Sequence, residues 1–224
     1  MQVAIDGPAS AGKSTVAKII AKNLSFVYID TGAMYRACTV IARNHGLDYG
    51  DEEGILKAMD QDGIELKSEN GEQKVYSAGK DISLEIRTPE ISANVSQVSA
   101  LPGIREKMVT LQRELAGHTD VIMDGRDIGT TVLPDAEVKI FLVASARSRA
   151  ERRLLDLKER GIHTDQTVEQ IEADIAARDY KDSHRAVSPL RKAADAIEID
   201  TTNLSIDQVV EKISEEIEKK SKKL

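Results

Sequence analysis

The chain has 224 residues, a net charge of −7 and 41% hydrophobic residues, a length that suits one α/β domain with insertions, or two small domains, and excludes a multi-domain array. Aromatic residues amount to 3% with no Trp, so neither a basic phosphate-tracking surface nor a set of base-stacking platforms is apparent, and no nucleic acid partner is expected. A ligand carrying several phosphates must instead meet arginines concentrated locally on this acidic protein.

Cys38 is the single cysteine and reads as a buried thiol in a helix, which fits a reducing compartment. No basic and apolar leader opens the chain, and no apolar run approaches membrane-spanning length. The expectation is a soluble cytoplasmic protein with no membrane association. His45, His118, His163 and His184 lie far apart without metal-ligand spacing.

In chain order, residues 3–5 form a short apolar run of the kind that makes a buried parallel strand. Directly after it stands Gly7-Pro8-Ala9-Ser10-Ala11-Gly12-Lys13-Ser14, which fits G-x-x-x-x-G-K-[ST]. Glycines in such a loop let successive N–H groups turn toward phosphate oxygens. Lys13 would reach the β and γ phosphates, and the Ser14 hydroxyl would ligate Mg²⁺. Val16, Ile19 and Ile20 follow at helical spacing, which sets the positive end of a helix beside the phosphates. A nucleoside triphosphate is the first ligand this segment implies.

A second strand is expected at 26–29, and Asp30-Thr31-Gly32-Ala33-Met34-Tyr35-Arg36 reads as a helix start with an arginine one turn in. Thr31 and Arg36 could hold a phosphate there. Two anion sites favour phosphoryl transfer between nucleotides over hydrolysis. Residues 63–82 break the α/β rhythm with an alternating segment, an Asn70-Gly71 turn and a second alternating run, the signal of a hairpin set outside the main sheet.

A helix is expected from Pro102 to Ala116, then a strand at 121–123 ending in Asp124. A carboxylate at that strand end is placed to hold Mg²⁺ through a ligand or water. Arg126 and Asp127 follow at once, offering one group for a phosphate and one for a base or sugar. A strand at 138–143 leads into an arginine-rich helix at 145–159, where Arg149, Arg152 and Arg153 share neighbouring faces. Gly161 joins it to a second charged helix, the pattern of a mobile lid. In that helix Arg178 and Asp182 are four apart and can pair, with Arg185 just beyond. A strand at 196–199 and a helix capped by Ser205 and Gln208 close the chain. Alternating strands and helices predict an α/β fold with a five-stranded parallel sheet covered by helices on both faces, a small antiparallel β insert and a helical lid.

Taken together, these segments resemble the bacterial cytidylate kinases, a branch of the P-loop nucleoside monophosphate kinases. The similarity runs through Ile5-Asp6-Gly7-Pro8 to Ser14-Thr15, the Asp30 to Arg36 segment, Glu85-Ile86-Arg87-Thr88, Asn94-Val95-Ser96-Gln97-Val98, residues 121–129, Arg149-Ala150-Glu151-Arg152-Arg153, Arg178-Asp179-x-x-Asp182-x-x-Arg185 and Ser188-Pro189-Leu190. Thr31 stands where some members have serine and keeps the hydroxyl.

The resemblance implies reversible phosphoryl transfer from Mg·ATP to CMP or dCMP. ATP would lie on residues 7–15 with Arg149, Arg152 and Arg153. Thr31, Arg36, Arg126 and Arg185 would hold the acceptor phosphate, Ser96, Arg105 and Asp127 would face cytosine, and Arg178 and Asp182 would address the sugar. Lys13, Arg126, Arg153, Arg178, Asp182 and Arg185 would carry the transfer. It also implies a core of residues 1–30 and 99–224, an acceptor region 31–98 and a lid at about 149–180, in a monomer. Two other readings compete: another small-molecule P-loop kinase acting on UMP or shikimate, and a non-catalytic nucleotide-dependent binding module.

Overall fold

The computed structural model describes residues 1–69, 72–117, 119–159 and 161–222. The first half of the chain runs β1 (Gln2–Asp6), α1 (Lys13–Leu24), β2 (Val27–Asp30), α2 (Thr31–Asn44), α3 (Glu52–Asp62), β3 (Glu65–Glu69), β4 (Glu72–Ser77), β5 (Lys80–Asp81), a 3₁₀ turn (Glu85–Arg87), α4 (Pro89–Val98) and α5 (Pro102–Ala116). The second half adds β6 (Val121–Gly125), a π turn (Ile128–Val132), β7 (Val138–Val143), α6 (Ala146–Glu159), α7 (Val168–His184), β8 (Ile197–Asp200) and α8 (Ile206–Ser221). These elements form two compact units, Met1–Tyr28 with His118–Leu224, and Ile29–Gly117.

The five-stranded sheet has the order β2-β6-β1-β7-β8. β1 pairs in parallel with both β6 and β7, and β7 with β8. Successive strand residues face opposite sides of a sheet, yet Val3, Ala4 and Ile5 are all fully buried. Both faces of β1 are therefore covered, as its unbroken apolar run predicts. On one of them Val3 and Ile5 join Val16 and Ile20 of α1 and Val209, Ile213 and Ile217 of α8 in a single core. α8 begins with the expected capping box, in which Ser205 Oγ accepts from Gln208 N–H at 3.2 Å and Gln208 returns the bond at 2.9 Å. α6 and α7 carry a small core of their own in Ala150, Ile171 and Ile175.

In the second unit the insert is a separate three-stranded sheet, β3-β4-β5. Leu66 and Val75 are opposite each other across its first pair, and both pack with Ala33, Ala37 and Val40 of α2. The Asn70-Gly71 turn lies outside the described residues. The boundary falls later than the sequence suggests, because α5 belongs with α2 and α3 rather than with the five-stranded sheet. Its Ile104 and Met108 are buried, and an amphipathic helix goes wherever its apolar stripe is covered. Among the described residues no helix is long and apolar enough to cross a membrane. Cys38 is buried and free, its thiol pushed up to about 12 by burial.

Candidate active site

The turn between β1 and α1 is possible only because of its glycines. At Gly7 (φ 147°) a Cβ would lie 2.1 Å from the carbonyl oxygen of Leu142, so this position tolerates no side chain. Gly12, at φ 91°, has open space around it but a left-handed backbone at the N-cap of α1. Ser10 also adopts a left-handed conformation (φ 59°), which is uncommon outside glycine and must be enforced by neighbours. Lys13 curls back over the loop to donate to the Pro8 carbonyl at 2.7 Å. Burial and the nearby Arg126 pull its ammonium down to about 7. Thr15, next along the helix, is exposed.

Ser14 Oγ donates to Asp124 Oδ2 at 2.7 Å, and Tyr28 Oη donates to Oδ1 of the same carboxylate at 2.7 Å. A hydroxyl and a carboxylate side by side are the hard oxygen donors that suit Mg²⁺, which takes few protein ligands and completes its shell with water and phosphate oxygens. The residues therefore fit the ion. Among the described residues there is no group of three or more His, Cys, Asp or Glu that would hold a metal by itself.

Beyond Asp124, cations from separate elements converge. Asp182 of α7 accepts from Arg126 Nε at 3.0 Å and so orients that guanidinium, while Arg178 Nε, 4.0 Å away, is in charge contact only and makes no hydrogen bond. Burial alone would raise its pKa, but Arg126, Arg178 and Arg185 outweigh this and hold it below the usual carboxylate range. Arg178 and Asp182 do pair, as their spacing predicts, although Arg126 is the nearer partner. Arg185 reaches Asp127 at 3.4 Å, with both side chains buried. Arg178 is itself pulled down to about 10 by burial and then by the Arg126 charge, with Arg153 contributing. Arg126 and Arg178 thus lie close together in buried surroundings, held there by the fold against their repulsion. An anion placed among them would relieve it.

In the second unit, Thr31 opens α2 and is buried, while Asp30 caps the helix by accepting from Ala33 N–H at 2.8 Å. Arg36 donates to Ser92 Oγ at 2.8 Å and to the Ile86 carbonyl at 3.2 Å. Arg105, 2% exposed, donates to the Ser99 carbonyl at 3.0 Å and lies 5.2 Å from the centre of the Tyr35 ring. Ser96, on α4, is buried. All four residues thus stand on helices in buried or half-buried surroundings.

Comparison with known proteins identifies the family. A family model described as "Cytidylate kinase" matches residues 3–219. A cytidylate kinase of Lactobacillus gasseri is 72% identical over 99% of this chain and 96% of its own length, and one of Streptococcus gordonii 54% identical over 98% and 97%. The chain belongs to the cytidylate kinase family. Its activity is that of a nucleoside monophosphate kinase. A solved structure of an uncharacterized protein from Eubacterium ventriosum, 12% identical and covering 98% of both chains with a TM-score of 0.52, shares the fold.

In this kinase the arginines of α6 differ in their partners. Arg149 is buried and donates to the carbonyls of Ala9 and Ala144, each at 3.0 Å. Arg152 donates to both Oγ1 and the carbonyl of Thr201, just past β8. Arg153 pairs with Asp156 at 3.4 Å while lying near enough to Arg178 to lower its pKa.

Two residues to which the sequence assigns no role also contact these groups. Tyr28 shares Asp124 with Ser14. Asp6, at the end of β1, accepts from the N–H groups of Ile128 and Gly129 at 2.8 and 2.7 Å and so ties the Arg126-Asp127 loop to the strand that carries the P-loop. Burial pushes its carboxyl up to about 6 despite those two hydrogen bonds. A polar residue ending an otherwise apolar strand was the available signal.

Proposed function

We propose that the chain transfers the γ-phosphoryl group of Mg·ATP reversibly to CMP and dCMP, giving ADP with CDP or dCDP. Residues 7–15 hold the donor phosphates, with Arg149, Arg152 and Arg153 serving the donor side. Thr31, Arg36, Arg126 and Arg185 hold the acceptor phosphate, Ser96, Arg105 and Asp127 face the base, and Arg178 and Asp182 take the sugar. The observation that carries this reading is the convergence of Arg126 and Arg178 on Asp182, at 3.0 and 4.0 Å, with Arg185 on the neighbouring Asp127 at 3.4 Å, in a protein whose overall charge is −7. Such a concentration of fixed cations stabilises charge that develops between two phosphates.

No strong general base is required, because the acceptor phosphate is already ionised. Lys13 neutralises the donor oxygens, and Arg126, steered by Asp182, spans the region of charge transfer with Arg178. Ser14 and Asp124 would hold Mg²⁺, which when bound neutralises the β and γ phosphates. The α6–α7 pair acts as a lid that excludes water from competing as acceptor. Cytosine offers an exocyclic amine to a carboxylate and two acceptors to Arg and Ser, which suits Asp127, Arg105 and Ser96; uracil inverts that edge. The same reading has the chain act as a cytoplasmic monomer in pyrimidine nucleotide metabolism, with region 31–98 serving the acceptor, and with no nucleic acid or membrane partner.

A coupled ADP-release assay with Mg·ATP and CMP, dCMP, UMP, AMP, GMP and shikimate tests this. CMP and dCMP should turn over fastest. Equal turnover of UMP would remove the role given to Asp127, and turnover of shikimate alone would overturn the reading.

A further inference from the structure

Carbonyl oxygens of the P-loop are held in place by side chains. Lys13 takes that of Pro8, Arg149 that of Ala9 at 3.0 Å, and Thr201 Oγ1, itself gripped by Arg152, shares its one proton between that of Ala11 at 3.3 Å and the Val143 carbonyl at 3.2 Å. In a trans peptide the C=O and the following N–H point opposite ways, and among the described residues there is no cis peptide. Fixing the carbonyls of Ala9 and Ala11 therefore fixes the N–H groups of Ser10 and Gly12 on the opposite side of the loop. Ala9 is gripped at its other end as well. Its N–H donates to Asp179 Oδ1 at 3.2 Å, and the second oxygen of Asp179 accepts from the same Arg149 guanidinium that holds the Ala9 carbonyl.

One ion pair, with side chains 8% and 18% exposed, thus holds both peptides that flank Ala9. The next residue is Ser10, whose left-handed backbone needs its surroundings to hold it. Arg149 comes from α6 and Asp179 from α7, so the clamp also ties both lid helices to the loop. We propose that Asp179 is a positioning residue for the phosphoryl donor. With Arg149 it sets the peptide orientations on which the loop's anion-binding N–H groups depend, and it does so without taking part in acceptor binding. This rests on the assignment of residues 7–15 to the donor phosphates.

The test is equilibrium binding of Mg·ATP in the absence of acceptor, by calorimetry on the full chain, beside steady-state kinetics. In Asp179→Ala the Mg·ATP dissociation constant should rise about ten-fold, the scale of a lost hydrogen bond to a charged group. In Asp179→Asn it should rise about three-fold, since the amide oxygen can still accept from Ala9 N–H while the ion pair is gone. KM for CMP should stay within about two-fold in both. Combining Asp179→Asn with Arg149→Lys should weaken ATP by less than the product of the single effects, because both act through one clamp. A purely structural role would lower Tm and leave the ATP-to-CMP split unmoved. Unchanged ATP affinity, or equal weakening toward ATP and CMP, overturns the proposal, and Asp179→Asn decides it if the alanine variant does not fold. Failure of the wild-type chain to use CMP would strike the activity assignment, while the ATP-binding arm would still judge Asp179.

Discussion

The P-loop and the cluster around Asp182 are both proposed to meet phosphate, but they are built in opposite ways. The loop uses backbone N–H groups over eight contiguous residues, and its demands fall on the main chain: no Cβ at Gly7, a left-handed turn at Gly12, carbonyls held at Pro8, Ala9 and Ala11. The cluster uses side chains from distant segments, with Arg126 after β6, Arg178 and Asp182 on α7 and Arg185 beyond it. A backbone site is rigid and general for phosphate. A side-chain site is assembled by the fold and can be tuned to one acceptor.

The sharpest way to separate the two is Lys13→Ala, which removes the one side-chain charge that the loop itself supplies. Turnover should fall about 10³-fold, the upper range for deleting a single preorganised donor, while CMP affinity stays within a few-fold. Comparable losses in both would mean that donor and acceptor share this cation. Gly7→Ala attacks the backbone instead. Because the obstructing atom is the Leu142 carbonyl rather than a flexible side chain, the substitution should destabilise the protein by about 3 kcal/mol, read from urea unfolding. Gly12→Ala, with open space but the wrong φ, should lose about half as much. Equal losses would show that conformation, and not close contact, governs Gly7.

That contrast also explains what could be read from the chain before its structure was seen. The loop was legible because its chemistry is local: glycine spacing, a lysine, a hydroxyl and the helix after them. The five strands were legible because short apolar runs alternate with helical patterns, and the β insert because period-two alternation interrupts that rhythm. The cluster was legible only as parts. Spacing put Arg178 beside Asp182, but nothing in it says that Arg126 lies nearer to that carboxylate, since 56 positions separate them. Arg149 and Arg153 looked equivalent at i and i+4, yet one is buried against the loop and the other pairs near the surface. Which face of α6 is covered depends on the tertiary packing of the strand ends, and so does the membership of α5 in the second unit.

Asp127 tests whether the cluster is tuned to its acceptor. In Asp127→Ala, discrimination between CMP and UMP should shrink by about 1 to 3 kcal/mol, measured as the ratio of kcat/KM values. Mg·ATP affinity should hold. A variant with the wild-type ratio would leave Asp127 a partner of Arg185 with no part in reading the base.

The smallest effect concerns the joint between the two regions. Asp6 ends the strand that carries the P-loop and holds Ile128 and Gly129 of the opposing loop. Its carboxyl is raised from 3.8 to about 6, so the folded protein binds more protons at Asp6 than the unfolded chain does between those values. Stability contributed by this group is complete below about pH 4 and is lost as pH rises through about 6. The slope is at most about 1.4 kcal/mol per pH unit. Asp6→Asn cannot titrate, and it keeps one oxygen for one of the two N–H groups. Urea midpoints from pH 4 to 6.5 should therefore fall less steeply with pH for the variant than for the wild type. Parallel curves would mean that the two N–H bonds fully offset burial, leaving Asp6 ionised and the joint insensitive to pH.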